Sequence, residues 1–249
     1  MDLRYNMKSA VVIIPTTGAD TLAKTIDSVA KQSYTNLTAL VVIDGKEHRD
    51  KVQKILVRNL SSLDIQIVCL SDNVGANGFY GHRVYAGFSH LVNQDFIFFL
   101  DQDNWFEPNH VESMIKTIEL EDTAWGYSLR NITDKEGNFI CTDDCESLGK
   151  WEAWTKCFHI DTNCYCLRNP VAVAIAGAWH GGWGQDRVVF NALKQYFPAY
   201  SCSREYTLNY RLDGNSGSVT KEFFLRGNRL MQEIQKDFLR DNGKYPWRK

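Results

Sequence analysis

Apolar residues run without a break from Phe96 to Leu100 and stop at the polar cluster Asp101, Gln102, Asp103 and Asn104. A short, aromatic-rich run of this kind predicts a strand buried on both faces. Comparable runs cover residues 9–17 (SAVVIIPTT), 37–44 (LTALVVID) and 65–70 (IQIVCL). Between them the apolar positions change to helical spacing. A helix begins near Asp20, with Leu22, Ile26 and Val29 on one face, and a charged helix covers residues 47–60. A third opens near Gly81 or His82 with Arg83 in its first turn. A fourth follows Pro108, with Val111, Met114, Ile115 and Ile118 on one face. Strand and helix alternate, so this half predicts an α/β layer with a mostly parallel sheet.

The pattern changes after residue 120. Residues 125–133 and 158–167 read as strands, 135–138 as a turn, and 143–149 as an acidic, flexible segment. Residues 170–179 are apolar and helical. Residues 179–187 (WHGGWGQDR) lead into a helical pattern at Val188, Val189 and Leu193. A strand is expected over 206–212, then a loop over 213–218. A last helix over 221–239 places Leu230, Ile234 and Phe238 four residues apart. No internal repeat or low-complexity segment interrupts the chain, so one domain is expected over 1–249. Residues 1–107 would form its ligand-binding half, and 108–249 a smaller mixed α+β half.

In such sheets ligands bind beyond the carboxyl ends of the strands. Three strands end there in polar residues: Thr16 and Thr17 after Pro15, Asp44, and Asp101 with Asp103. Three polar ends in one sheet suggest a single site. Asp101 and Asp103 are two apart and project to the same side of an extended backbone. Oxygen donors so placed suit Mg²⁺ or Mn²⁺, although acids after a strand also serve as caps for the next helix. The glycine-rich loop over 73–81 follows the third strand and matches neither GxGxxG nor GxxxxGK[ST]. That counts against a dinucleotide dehydrogenase and a P-loop NTPase. Arg83 could reach a nucleotide base or phosphate from it, or form a surface ion pair. Asp186 lies near a helix N-terminus, where a carboxylate is favoured as a cap as well as in a site.

Composition narrows the setting. The 249 residues carry a net charge of −2, with 44% hydrophobic and 23% charged positions, as in a soluble globular protein without a nucleic-acid partner. No apolar run approaches the roughly 20 residues of a membrane span, and the first residues lack a signal-peptide layout. A cytoplasmic location is the expectation. Of the seven cysteines, five lie between Cys141 and Cys166 beside His159. Their C-x3-C and C-x-C spacings lack a paired CxxC, so reduced cysteines without zinc are expected. Trp125, Trp151, Trp154, Trp179, Trp183 and Trp247 are the tryptophans available to stack on a sugar ring; the common alternative is burial in the core.

Together these segments resemble the family 2 glycosyltransferases with the GT-A fold over most of the chain. The opening VVIIPTTGADTLAKTIDSVAKQSY is similar to that family's donor-site start, with Pro15, Thr16 and Thr17 at its strand end. VVIDG resembles its second strand, which implies that Asp44 contacts the nucleotide base. NVGANGFYGHR is similar to its N-x-G…R segment, placing Asn73, Gly75 and Arg83. FLDQDN resembles its metal-binding DxD strand, with Asp101 and Asp103 as ligands and Gln102 beside the donor. WGQDR resembles its late acidic motif, which makes Asp186 the catalytic base; Gln185 departs from the usual Glu. NYRLDGNSGS resembles a loop that closes over the diphosphate and suggests Arg211 and Asn215, though the frequent His of that loop is missing here.

The resemblance implies a metal-dependent transfer, with Mn²⁺ or Mg²⁺, from a nucleotide-sugar donor of the UDP type to an unidentified hydroxyl acceptor, whether glycan, lipid-linked or other. One base without a second nucleophile favours single displacement with inversion. Two rivals remain: an inactive sugar-nucleotide or glycan-binding module, and a nucleotidyltransferase on a related layer. The latter would place a basic, glycine-rich signature after the first strand, where this chain reads PTTGADT.

Overall fold

A computed structural model of the protein describes residues 7–57, 64–212 and 219–249. The central strand is β1 (Ala10–Thr16), buried at every position. It pairs in parallel with β2 (Leu37–Ile43) on one side and β4 (Phe96–Phe99) on the other, and β2 pairs in parallel with β3 (Asp64–Cys69). The buried aromatic run of β4 contributes about 2 kcal/mol of apolar transfer per side chain before entropy is set against it. No position of β3 is fully buried, as expected at a sheet edge.

The second half continues the same sheet. β8 (Tyr165–Arg168) runs antiparallel to β4, and β6 (Trp125–Thr133) antiparallel to β8. β9 (Tyr200–Arg211) is parallel to β6. The two-residue β5 (Trp105–Phe106) closes the far edge, and β7 (Phe139–Thr142) pairs with β6. Among the described residues the order is therefore β3-β2-β1-β4-β8-β6-β9-β5, with β7 off the path. The helices are α1 (Leu22–Ala30), α2 (Arg49–Val57), α3 (His82–Ser89), α4 (His110–Leu120), α5 (Asn169–Ile175), α6 (Gln185–Tyr196), α7 (Lys221–Ile234) and α8 (Lys236–Asn242). The expected α/β class holds: parallel through the first four strands, mixed beyond them.

Register gathers the strand ends. Thr16 of β1 lies beside Ile43 of β2, and Ile13 beside Phe99 of β4. The Asp44 N–H donates to the Thr16 carbonyl and the Leu100 N–H to the Ile13 carbonyl, at 2.9 and 3.1 Å. Thr16, Asp44 and Asp101 therefore leave the sheet at one edge.

Four local expectations need correction. The strand read over 158–167 is confined to β8. A 3-10 turn over Thr162–Cys164 precedes it, with the Asp161 carboxylate accepting from the Asn163 N–H at 2.9 Å. The acidic segment over 143–149 is not a flexible surface loop, because Asp143, Asp144, Cys145, Ser147 and Leu148 are buried. The last helix breaks at Gln235 into α7 and α8, and its core face carries Phe224, Gly227 and Met231. Ile234 and Phe238 point outward, 61% and 40% exposed. The helix expected over 47–60 begins with a 3-10 turn at Lys46–His48 and continues as α2, and residues 58–60 lie outside the described residues.

Candidate active site

Beyond the gathered strand ends lies a cavity of about 530 Å³, within the usual size of a small-molecule site. Pro15, Thr16, Thr17, Asp44, Asn73, Gly75, Asp101, Gln102 and Asp103 line one part, and Gln185, Asp186 and Arg187 another. Most of the residues singled out by sequence thus meet in one place. Arg83 and Arg211 are not on the cavity wall. The Arg83 guanidinium lies 3.3 Å from the Phe79 ring centre and donates to the Val74 carbonyl at 3.4 Å. Arg211 Nε donates to the Lys135 carbonyl at 2.8 Å. Asn215 lies outside the described residues.

Several of these side chains hold the cavity's own walls. Both Asp44 carboxylate oxygens accept backbone N–H groups of the glycine-rich loop, from Val74 at 2.7 Å and Gly75 at 2.8 Å. This close approach demands glycine at 75, where a Cβ would lie 2.1 Å from the Tyr80 carbonyl oxygen and 2.7 Å from Asp44 Oδ2. The Gln102 side-chain carbonyl accepts from Thr16 Oγ1 at 2.7 Å and from the Thr17 and Ala19 N–H groups, each at 3.1 Å. Gln102 therefore shapes the turn after β1.

Asp101 is oriented from two sides. Tyr85 Oη donates to its Oδ1 at 2.8 Å, and Asn163 Nδ2 to its Oδ2 at 2.7 Å. Each oxygen keeps a lone pair. Asp101 and Asp103, both half-buried on the wall, are hard oxygen donors of the type that Mg²⁺ and Mn²⁺ share with phosphate oxygens. Among the described residues no group of three or more His, Cys, Asp or Glu side chains is gathered to hold an ion alone. The residues present fit an ion completed by ligand oxygens. The cysteines are all free thiols spread over several elements, with Cys145, Cys164, Cys166 and Cys202 buried.

Asp186 is the second residue of α6. The N-cap is Gly184, in the left-handed region at φ 81°, and it makes no side-chain cap. Asp186 Oδ1 accepts from the Arg187 N–H at 2.8 Å, while Oδ2 lies 3.7 Å from His159 Nε2. Gln185, the residue that departs from the family pattern, donates its side-chain amide to the Ala178 carbonyl and closes the turn before α6.

The sequence reading missed the site's charged centre. Arg130 of β6 is buried and lines the cavity. It donates to Asp143 at 2.8 Å, Glu146 at 2.6 Å and Asp161 at 2.6 Å. One guanidinium cannot neutralise three carboxylates, and the shortage appears in their proton affinities. Burial opposes the charged form of Asp143, but Arg130 and backbone N–H groups of Ser147 and Cys145 hold it below the ordinary range. Burial prevails at the other two: it raises Glu146, and pushes Asp161 up to about 6. His159 is displaced below its usual value, chiefly by burial. The available signal for Arg130 was a lone arginine in the otherwise half-apolar run WGYSLRNIT; His159 stood only among the cysteines. Asp144, by contrast, faces the chain's last residues. It accepts from Trp247 Nε1 at 2.7 Å and pairs with Arg248.

The architecture is that of a GT-A-like glycosyltransferase. S. aureus TarS 1–349 in complex with UDP-GlcNAc superposes with a TM-score of 0.62 at 15% identity, over 93% of this chain and 66% of that one. The same protein in complex with UDP gives 0.62 at 13% identity, over 94% and 74%. The chain belongs to glycosyl transferase family 2, whose model matches residues 11–169. An uncharacterized protein of Haemophilus influenzae is 33% identical over 66 residues, 26% of this chain and 45% of that protein, so the match spans about half of that relative. Among the described residues no helix is long and apolar enough to cross a membrane.

Proposed function

We propose that this chain transfers a sugar from a nucleoside-diphosphate sugar, of the UDP type, to an acceptor hydroxyl, with inversion at the anomeric carbon. The observation that carries this reading is the placement of Asp186 in the same cavity as Asp101, Asp103 and the glycine-rich loop. The UDP and UDP-GlcNAc complexes of the similarly folded TarS support the donor class. A divalent ion bound by Asp101 and Asp103 would supply positive charge for the leaving diphosphate.

The chain's own groups supply the rest. The loop pinned by Asp44 shapes the nucleotide pocket. Asp186 takes the proton of the acceptor hydroxyl as its oxygen bonds to the anomeric carbon. The bond from that carbon to the diphosphate oxygen breaks, and its electron pair leaves with the nucleoside diphosphate. Glu146 and Asp161 are hydrogen-bonded to Arg130, which leaves Asp186 for the acceptor proton and favours one displacement rather than two.

Asp186→Asn is the decisive variant. It preserves size and, since Gly184 is the cap, leaves the helix start unchanged. Transfer should fall by about 10² or more, with nucleotide affinity and Tm unchanged. A folded variant transferring at the parental rate would remove Asp186 from the mechanism.

A further inference from the structure

Trp183 is 77% exposed, whereas Trp125, Trp179 and Trp247 are fully buried. It nevertheless lines the cavity, three residues before Asp186. Its exposure does not come from a loosely packed segment. The Gly181 carbonyl oxygen lies 3.2 Å from His82 Nδ1, and Gln185 closes the turn onto Ala178. At Gly182 a Cβ would lie 2.6 Å from the Gly78 carbonyl oxygen, so the two loops touch backbone to backbone. The Arg187 guanidinium sits 5.7 Å from the Trp183 ring centre.

A second aromatic residue stands on the facing loop. Tyr80 lines the same cavity, is 59% exposed, and holds a φ of +52°. That region disfavours bulky side chains, and such strain collects at functional sites. Leaving a tryptophan in water forgoes the burial that stabilises the other three. Both large apolar faces are thus presented at the cavity on braced loops.

We propose that Trp183, with Tyr80, forms an acceptor subsite for a pyranose ring, so that the acceptor is a saccharide and not an acyclic polyol. This rests on the transferase reading above and specifies its acceptor. A pyranose presents a flat C–H face to an aromatic ring and a rim of hydroxyls to polar groups. The rim acceptors here are Glu146, Asp161 and Asp186, all lining the same cavity. An acyclic polyol offers the hydroxyls without the rigid C–H face. Because Trp183 stands three residues before Asp186, at the turn that enters α6, a ring stacked on it is held near the group that accepts the proton.

The test is saturation-transfer-difference NMR on the full chain without nucleotide. The probes are the methyl glycosides of glucopyranose, galactopyranose and N-acetylglucosamine, with ribitol and glycerol as acyclic comparators. At least one pyranoside should show saturation of its ring C–H protons. Its binding should weaken by about tenfold in Trp183→Ala, the loss expected of one stacked aromatic, and persist in Trp183→Phe. The parental Tm should be kept, since the side chain is exposed. Three results would overturn the proposal: no pyranoside signal, ribitol matching the pyranosides, or pyranoside binding undiminished in Trp183→Ala. The readout needs neither nucleotide nor turnover. A parental rate in Asp186→Asn would therefore sink the base assignment and leave this result standing, and the reverse also holds.

Discussion

His159 Nε2 lies 3.7 Å from Asp186 Oδ2, and the imidazole is buried while the carboxylate is partly open to the cavity. Burial pushes the His159 imidazole below its ordinary value and so favours its neutral form. Once protonated, it would put a cation beside Asp186 and weaken that carboxylate's pull on a proton. Transfer should therefore fall as pH drops through the lowered His159 value, and His159→Gln should remove that part of the acid limb. A pH–rate profile identical in parent and variant would dissociate the imidazole from the base.

Asp103→Asn should weaken Mn²⁺-dependent donor binding while leaving the fold intact. Calorimetric titration of nucleotide with and without Mn²⁺ reads the effect. If Mn²⁺ strengthens nucleotide binding equally in parent and variant, Asp103 is not a ligand.

Asp44 tests the donor side differently, because its carboxylate pins the glycine-rich loop. Removing two hydrogen bonds to a buried carboxylate should cost about 2 kcal/mol. Asp44→Ala should thus lower Tm and nucleotide affinity together. A variant that lost affinity but melted like the parent would argue for direct contact with the ligand and against the bracing role.

Arg130→Ala strands three carboxylates around an empty guanidinium site. The expected cost at neutral pH is about 3–5 kcal/mol. Without Arg130 the Asp143 carboxyl loses the cation that holds it low, and Glu146 and Asp161, already raised by burial, rise further. A raised carboxylate contributes stability at low pH that is lost as pH rises through its folded value. The deficit against the parent should therefore be smaller at pH 5 than at pH 8. Denaturant titrations at the two pH values measure it, and a constant deficit would contradict the cluster's role.

His110 sets an acid limit on the fold. It is fully buried, stacks on Phe106 at 3.8 Å between ring centres, and is pushed down to about 3 by burial. A depressed histidine resists charging in the folded state, so stability present above pH 6.5 is lost as pH falls toward 3. Between pH 7.5 and 5 the loss is about 2 kcal/mol. Asp161, raised to about 6, acts in the opposite sense over part of this window. The difference between parent and His110→Gln isolates the histidine: the variant's stability should fall less steeply on acidification. Equal slopes would exclude His110 as the cause.

The sequence by itself determined the α/β layer, the shared edge at which β1, β2 and β4 end, and the residues Thr16, Asp44, Asp101 and Asp103 that leave there. These are local properties. A continuous apolar run reports burial on both faces, and the first polar residue after it marks the strand end. Asp186 is singled out differently, by the resemblance of WGQDR to the family's late acidic motif, since its place at a helix start alone fits a cap equally well. Only the tertiary structure decided what these groups bond to. Asp44 and Gln102, read as ligand contacts, line the cavity and also brace its loops. Arg83 and Arg211 turn to backbone carbonyls off the cavity wall. Arg130 meets Asp161 across 31 residues, a contact no periodicity encodes, because it requires β8 to return antiparallel to β6. The acidic segment over 143–149 read as flexible for want of that partner. Asp143 and Glu146 turn inward because Arg130, on a neighbouring strand, receives them, and Asp144 because Trp247 and Arg248 do.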